Sequence, residues 1–396
     1  MPLDSDVAVG VVGAGAMGTG IAQVAAAAGH RVVFADAVAG AAQNARANIA
    51  KVMEREVDKG RLGRDAADLL ISRIDVRSAP LAGDLSPYAS CGIVIEAVAE
   101  DLSVKQTLLR RLEGVVRSDA VLATNTSSLS VAAIASACDA ADRVIGIHFF
   151  NPPPLMPLVE IVPWLGGAPT VAPAAYALMQ RWHKIPVLAS DTPGFIVNRI
   201  ARPFYGEALR LFEEGVANAP TIDWAMRELG GFRMGPFELM DFIGNDVNYA
   251  VTRSVFEAFF YDPRYKPSLT QRRLVEAGFF GKKSGRGHYD YRPGAIASES
   301  TNDHSAGLMI VERIRAMLIN EAVDAVFMRV ASPEDIDLAM TKGVNYPKGL
   351  LAWGNEIGLG HVLGTLERLQ SEYGEDRYRP SSLLRRMVRD GRRFFE

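Results

Sequence analysis

The chain has 396 residues, 48% of them hydrophobic and 22% charged, which is typical of a globular protein with two or three domains and excludes a disordered or fibrous one. Its net charge of −3 argues against nucleic acid as the main ligand, because no overall positive field is present to neutralise phosphates. The two cysteines lack metal-ligand spacing, so we expect no metal site. No leader segment is recognisable and no apolar run reaches about 18 residues, so we expect a cytoplasmic protein without a membrane span.

The first segment has the order strand, glycine-rich turn and helix. After an apolar strand at residues 7–12, the turn carries Gly13, Gly15, Ala16, Met17 and Gly18. Gly13 allows a tight turn, Gly15 lets the backbone approach a pyrophosphate, and Gly18 lets the helix pack on the strand. The turn therefore predicts a dinucleotide site, with a purely structural glycine turn as the alternative.

The second strand, residues 31–36, ends in an acid that bears on the choice of cofactor. Asp36 stands 18 residues after Gly18, within the length expected of a βαβ unit. A carboxylate at this position accepts hydrogen bonds from the adenosine ribose and repels a 2′-phosphate, and no arginine follows in residues 37–40. The sequence therefore favours NAD over NADP.

Strands and helices go on alternating along the chain. Residues 38–72 predict two helices broken at Lys59, which by itself is typical of a solvated helix end. Strands at 92–98 and 120–124 then predict a doubly wound parallel sheet. Their carboxyl ends are followed by Glu100, Lys105, Asn125, Ser127 and Ser128. Polar residues there line the ligand crevice of such sheets, although either serine could equally cap the next helix.

Two further apolar strands carry a histidine and a carboxylate. His148 ends the strand at 143–148, and Glu160 lies in the middle of the strand at 158–162. A buried carboxylate is costly without a partner, so we expect the two side chains to meet. A carboxylate on one ring nitrogen fixes the tautomer and prepares the other nitrogen to act as a general base. A structural ion pair between strands fits the same pattern.

The rest of the chain is mainly helical. A helix near 171–182 and a strand at 185–188 precede a long helix that we expect to begin at Asp191 or Thr192 and to end at Glu214. Asn198 is an isolated polar residue in this helix. Such an asparagine is more often a packing or hydrogen-bonding residue than a ligand contact.

This helical part is duplicated. Arg199, Glu207 and Asp223 recur 114 residues later as Arg313, Glu321 and Asp337, and later landmarks recur after 113 residues. The period is too long for a solenoid, so we interpret it as two copies of one small domain. The prediction is a Rossmann-type doubly wound α/β domain at 1–183, followed by two tandem all-α domains at 184–292 and 303–396. The second copy has Glu312 where the first has Asn198.

Taken together, these motifs resemble those of the L-3-hydroxyacyl-CoA dehydrogenases. The matching segments are GAGAMGTGIA at 13–22, NTSSL at 125–129, HFFNP at 148–152, DTPGFIVNR at 191–199, MGPFE at 234–238 and GKKSG at 281–285. The resemblance covers residues 7 to about 291. The second copy is similar to the duplicated domain of bacterial forms and of multifunctional fatty-acid oxidation proteins.

The resemblance implies NAD-dependent oxidation of the 3-hydroxyl of an L-3-hydroxyacyl-CoA, in fatty-acid or aromatic degradation. His148 would remove the hydroxyl proton and Glu160 would orient it. Ser127 and Asn198 would contact the reacting hydroxyl or thioester oxygen, with Asn151 near them. The implied cofactor contacts are Gly13, Gly15, Ala16, Met17, Gly18, Asp36, Glu100, Lys105 and Asn125, and Lys59 would meet coenzyme A.

Two alternatives remain. One is a related dehydrogenase of a small CoA-free compound, of the gulonate or carnitine type. Residues 151–153 suggest this alternative, and the motifs at 191–199 and 234–238 argue against it. The other is a non-catalytic, crystallin-like NAD-binding protein, which the retention of His148, Glu160, Ser127 and Asn198 opposes.

Relatives with one C-terminal copy resemble two-fold dimers that pair through a self-complementary surface. A tandem copy could occupy that surface within one chain. We therefore expect the second copy to act as an internal pseudo-dimer partner, with further oligomerisation left open. Its first helix should bury Ile310, Ile314, Met317 and Leu318 against the first copy.

Overall fold

The structure is a computed structural model that describes residue 3 and residues 6–77, 83–296 and 298–395. The chain divides into two compact units, Met1–Thr192 and Pro193–Glu396. Among the described residues, no helix is long and apolar enough to cross a membrane, and no group of three His, Cys, Asp or Glu side chains could hold a metal ion.

The first unit is a sheet covered by helices, as the alternating pattern predicted. Its elements are β1 (Ala8–Val12), α1 (Ala16–Ala27), β2 (Val32–Ala35), α2 (Ala41–Asp58), α3 (Arg64–Ser72), β3 (Ile74–Val76), β4 (Cys91–Glu96), α4 (Leu102–Glu113), β5 (Val121–Thr124), α5 (Val131–Ala135), β6 (Val144–Phe149), β7 (Leu158–Val162), α6 (Val171–Arg181) and β8 (Ile185–Leu188). Strands β4, β6 and β7 are buried along their whole length, as expected of strands covered on both faces.

The described strands form one eight-stranded sheet in the order β3-β2-β1-β4-β5-β6-β7-β8. All neighbouring strands are parallel except β6 and β7, which are antiparallel. The strand order reverses between β1 and β4, so the carboxyl ends of these two strands flank a topological switch point. Ligands bind at such points in open α/β sheets.

The end of the first unit differs from the prediction. Strand β8 pairs with β7 as an edge strand of the sheet, and the unit extends to Thr192 rather than to residue 183. The edge strand β3 was not predicted, because its three residues, Ile74–Val76, are too few to show a period.

The long helix predicted from Asp191 or Thr192 begins later and is interrupted. It consists of α7 (Val197–Ile200) and α8 (Arg202–Glu213), and Gly194 and Phe195 before it have positive φ. The Asp191 carboxylate instead accepts hydrogen bonds from the backbone of Val131 and Ala132 at the start of α5. The cap of α5 is Ser130, not Ser127 or Ser128.

The second unit is helical and repeats itself. After α7 and α8 its elements are α9 (Ala219–Trp224) with a π turn (Ala225–Leu229), α10 (Pro236–Ile243), α11 (Asn245–Ala258), α12 (Leu269–Glu276), α13 (His304–Phe327), α14 (Pro333–Gly343), α15 (Leu350–Ile357), α16 (Leu359–Tyr373) and α17 (Ser382–Arg389). The starts of α14, α15 and α16 lie 114 residues after those of α9, α10 and α11, and α17 starts 113 after α12.

The repeat extends to individual hydrogen bonds. The Asp223 carboxylate accepts from Phe237 N and Glu238 N at the start of α10. The equivalent Asp337 accepts from the first residues of α15 in the same way. The duplication seen in the sequence is therefore a duplication of structure.

The two copies are in contact within the second unit. Helix α13 packs against α8 and the π turn, and its side chains Ile310, Ile314, Met317 and Leu318 are at most 1% exposed. Arg199 of the first copy pairs with Glu321 of the second at 2.6 Å. The equivalent pair, Arg313 with Glu207, lies at 3.1 Å. Each copy thus contributes the same arginine and the same glutamate to the contact between the copies.

Candidate active site

The glycine-rich turn after β1 has the shape of a phosphate-binding turn. Gly13 has a φ of +103°, and a Cβ there would lie 2.4 Å from the carbonyl oxygen of Ala97. A Cβ at Gly18 would lie 1.7 Å from the carbonyl oxygen of Gly13. A Cβ at Gly15 would meet nothing within 4 Å. The backbone is therefore closely packed at two glycines and open at the third, at the N-terminus of α1.

Asp36 lies directly after β2 beside this turn. Its Oδ2 accepts a hydrogen bond from Ala14 N at 2.5 Å, and its Oδ1 accepts one from Val38 N at 2.8 Å. These bonds fix the carboxylate in place. Each carboxylate oxygen has a second lone pair, so Asp36 can still accept hydrogen bonds from two ribose hydroxyls.

A buried ion-pair cluster follows β4. The Lys105 ammonium lies 2.9 Å and 3.0 Å from the two carboxylate oxygens of Glu96, and 3.2 Å from Glu100 Oε2. Glu96 also accepts a hydrogen bond from the Thr124 hydroxyl. Lys105 is only 1% exposed, so it offers a ligand little surface of its own.

Glu96 is not among the predicted site residues. The signal for it in the sequence is a carboxylate in an apolar strand, as for Glu160.

Glu100 holds the loop after β5. Its Oε1 accepts hydrogen bonds from the Thr126 hydroxyl at 2.7 Å and from Ser127 N and Ser128 N at 2.8 Å and 3.1 Å. Partial burial raises the pKa of the Glu100 carboxyl, but the Lys105 ammonium and the bonds from Thr126 and Ser127 outweigh it, so the pKa lies below its ordinary value. Glu100 is therefore ionised at neutral pH and orients Ser127.

Asn125 joins the ends of three strands. Its backbone N–H donates to the carbonyl of Glu96 at 2.9 Å, and its side-chain oxygen accepts from Phe149 N at 2.9 Å. Asn125 is 9% exposed. It therefore fixes the end of β6, where His148 lies, against the ends of β4 and β5.

His148 and Glu160 face each other as direct partners across the antiparallel strands β6 and β7. The distance from His148 Nδ1 to Glu160 Oε2 is 2.6 Å, and Glu160 is completely buried. The Phe150 ring packs beside the imidazole at 4.6 Å between centroids. Because a carboxylate can only accept, Nδ1 carries the proton and Nε2 is left to accept one.

Asn151, Lys59 and Asn198 complete the set of predicted site residues. Asn151 is exposed and follows β6. Lys59 caps the end of α2, where its exposed ammonium pairs with Glu56 at 3.4 Å. Asn198 lies on α7 in the second unit and is partly buried. The parallel strands thus bring the glycine turn, Asp36, Glu100, Asn125, Ser127 and His148 to one edge of the sheet.

Comparison with known proteins identifies the family. Residues 8–192 match the NAD-binding domain of 3-hydroxyacyl-CoA dehydrogenase, and residues 194–291 and 309–393 match its C-terminal domain. The chain belongs to the 3-hydroxyacyl-CoA dehydrogenase family. Like its relatives in this family, it is an NAD-dependent oxidoreductase that acts on a CH–OH group.

Similar members of the family differ in how much of this chain they cover. The chain is 39% identical to the 3-hydroxyadipyl-CoA dehydrogenase of Escherichia coli strain K12, across 95% of this chain and 96% of that protein. Its structure matches that of a 3-hydroxybutyryl-CoA dehydrogenase from E. coli K12 with a TM-score of 0.91 and 38% identity, covering 97% and 98% of the two chains. The mitochondrial hydroxyacyl-coenzyme A dehydrogenase of Sus scrofa is 38% identical over 72% of this chain and 91% of its own length.

The residues of this family member fit NAD. The open backbone at Gly15 leaves room for a pyrophosphate, and Ala16 and Met17 form the first turn of α1 behind it. Asp36 is held in position for a ribose, and residues 37–40 supply no arginine for a 2′-phosphate. The prediction of NAD as cofactor is confirmed.

Proposed function

We propose that the chain oxidises the 3-hydroxyl of an L-3-hydroxyacyl-CoA to the 3-keto group, and catalyses the reverse reduction, with His148 and Glu160 as its general acid–base pair. The observation that carries this proposal is the direct pairing of the two side chains across β6 and β7, with a 2.6 Å bond to Nδ1. That bond leaves Nε2 as the basic nitrogen.

In the oxidation, His148 Nε2 takes the proton of the hydroxyl as C3 loses hydride. NAD, when bound, supplies the hydride acceptor. The Glu160 carboxylate stabilises the imidazolium that forms and holds its ring in place. In the reduction, the imidazolium returns the proton to the 3-keto oxygen.

Other residues would position the reactants. Ser127, held by Glu100, and Asn198 would hydrogen-bond the reacting hydroxyl or the thioester oxygen, with Asn151 near the same atoms. Gly13, Gly15, Ala16, Met17, Gly18, Asp36, Glu100 and Asn125 would contact the cofactor. Lys105 is buried, so we propose that it serves the cofactor site by holding Glu100. Lys59 would meet coenzyme A.

We also propose that the second copy acts as an internal pseudo-dimer partner of the first and has no catalytic role. The reciprocal pairs Arg199–Glu321 and Arg313–Glu207 support a pseudo-two-fold relation between the copies. The replacement of Asn198 by Glu312 supports a structural role for the second copy, because Glu312 is bound by Thr365 and Arg368 of that copy. The two free, buried cysteines fit the proposed cytoplasmic location.

NADH oxidation tests the proposed reaction. We expect turnover with 3-ketoacyl-CoA esters of short chain, because relatives that cover nearly the whole chain carry names of four-carbon and six-carbon substrates. A 3-keto acid without coenzyme A should be turned over far more slowly. Activity confined to the CoA-free acid would contradict the proposal and favour a gulonate- or carnitine-type dehydrogenase.

A further inference from the structure

Arg202, at the start of α8, is a buried cation that no described carboxylate pairs with. The residue is 7% exposed. Its Nε donates to the carbonyl oxygen of Asn198 at 2.8 Å, its Nη1 donates to the Thr252 hydroxyl at 3.0 Å, and its guanidinium lies 5.0 Å from the centre of the Tyr205 ring. In the described part of the chain, no carboxylate forms an ion pair with it, and the titratable groups that face it are the phenols of Tyr205 and Tyr346.

Other buried arginines of the same unit are paired. Arg199 and Arg264 bind Glu321 at 2.6 Å and 3.3 Å, and Arg313 and Arg377 bind Glu207 at 3.1 Å and 3.0 Å. An unpaired guanidinium is costly to bury, and burial lowers the pKa of Arg202 accordingly. Arginine nevertheless keeps its charge at neutral pH, so an anionic ligand would stabilise the buried guanidinium of Arg202.

Arg202 belongs to a buried polar cluster of four residues: Arg202, Asn248, Thr252 and Gln271. The Thr252 hydroxyl donates to the carbonyl of Asn248 at 2.8 Å, and the Gln271 amide donates to the Asn248 side chain at 2.7 Å. Each member is at most 7% exposed.

The second copy shows that the fold does not need this cluster. The equivalent positions there are Ala316, Val362, Leu366 and Leu384, which are at most 3% exposed. Apolar side chains thus fill the same place in the same helices, as is usual for a core. The polar cluster therefore requires a reason other than packing, and the first copy is also the one that keeps Asn198.

The position of Arg202 indicates what it could bind. It stands one helical turn after Asn198, and the Cβ atoms of residues at this spacing are about 5–6 Å apart. Under the proposed function, Asn198 contacts the oxygen at C3 or the thioester. The terminal carboxyl carbon of a six-carbon acyl chain lies three C–C bonds beyond C3, a span of roughly 4 Å when extended. A carboxylate at that end can reach the guanidinium.

We propose that Arg202 binds the distal carboxylate of the acyl chain, so that the preferred substrates are ω-carboxylated 3-hydroxyacyl-CoA esters of about six carbons. This inference rests on the proposed function and names its substrate class. A charge-assisted hydrogen bond to Arg202 favours the dicarboxylic substrate. A neutral chain of equal length leaves the guanidinium unpaired and is discriminated against.

Steady-state kinetics test the proposal with two CoA esters of equal length, 3-ketoadipyl-CoA and neutral 3-ketohexanoyl-CoA, in the presence of NADH. The wild-type enzyme should prefer the carboxylated ester by at least about tenfold in kcat/KM. Arg202→Met should lower kcat/KM for 3-ketoadipyl-CoA by about two orders of magnitude and leave 3-ketohexanoyl-CoA nearly unchanged. The matched control is Arg315→Met, which removes a half-buried arginine stacked on Trp353 in the second copy and should change neither value.

A second variant tests the same inference if Arg202→Met fails to fold. Combining Arg202→Ala, Asn248→Val, Thr252→Leu and Gln271→Leu installs the apolar packing of the second copy and should lose the same preference. Equal losses on both esters in a folded variant, or a wild-type preference for the neutral ester, would overturn the inference and leave the proposed function standing. Turnover of a CoA-free 3-keto acid alone would overturn both, since neither CoA ester would then be a substrate.

Discussion

Asp36 is the side chain that we expect to determine the choice of cofactor. Two backbone N–H groups hold its carboxylate beside the glycine turn, where a 2′-phosphate would meet a fixed negative charge. We expect Asp36→Ala to lower kcat/KM with NAD by about 10- to 100-fold, because hydrogen bonds to a charged group are lost. The ratio of NADP to NAD use should rise.

The measurement is kcat/KM with each cofactor at a fixed concentration of a 3-hydroxyacyl-CoA. Asp68→Ala, which removes an exposed acid on α3, is the control and should leave the ratio unchanged. A wild-type enzyme that prefers NADP would show that the end of β2 was misinterpreted.

At the same scale, the sequence predicted some site residues and not others. The His148–Glu160 contact followed from one rule, that a carboxylate in an apolar strand needs a partner. Glu96 obeys the same rule but was missed, and its partner Lys105 was predicted for a different role. That no carboxylate of the described residues pairs with Arg202 cannot be seen in a sequence, because it depends on which side chains surround the residue in the folded chain.

At the scale of elements, the two helical copies were predictable because their repeat preserves charged landmarks. Arg199 and Glu207 recur as Arg313 and Glu321, and the structure uses all four in reciprocal ion pairs. The start of α7 was predicted wrongly, because Asp191 resembles a local helix cap. Its carboxylate binds the start of α5, about 60 residues earlier in the chain, and local sequence rules do not report such a contact.

Truncation tests the role of the second copy. Ending the chain at Asn302 removes α13 to α17, exposes the apolar face under α13 and leaves Arg199 and Glu207 without their partners. We expect the truncated protein to dimerise or aggregate, as measured by size-exclusion chromatography with light scattering. NAD binding by the first unit should persist.

The control is a full-length Met309→Ser variant, which changes an exposed residue of α13 and should behave as the wild type. A truncated protein that remains a soluble, fully active monomer would contradict the internal pseudo-dimer.

For the whole molecule, local patterns predicted the fold class. Alternating apolar strands and amphipathic helices indicated a doubly wound sheet, and the helical remainder followed from the loss of strand signals. The strand order, the antiparallel pairing of β6 with β7 and the place of β8 in the sheet are long-range pairings, which a local period does not specify. The register of β6 and β7 matters most, because it places His148 directly opposite Glu160.

The His148–Glu160 pair is proposed to perform the proton transfer. The most direct test is to measure kcat for His148→Gln with a 3-ketoacyl-CoA and NADH, together with NAD affinity. We predict a loss of kcat on the order of a thousandfold with nearly unchanged NAD binding, because general acid–base catalysis is lost while the cofactor turn is intact. Glu160→Gln should lose less, since the base remains. An unchanged kcat in His148→Gln would contradict the account.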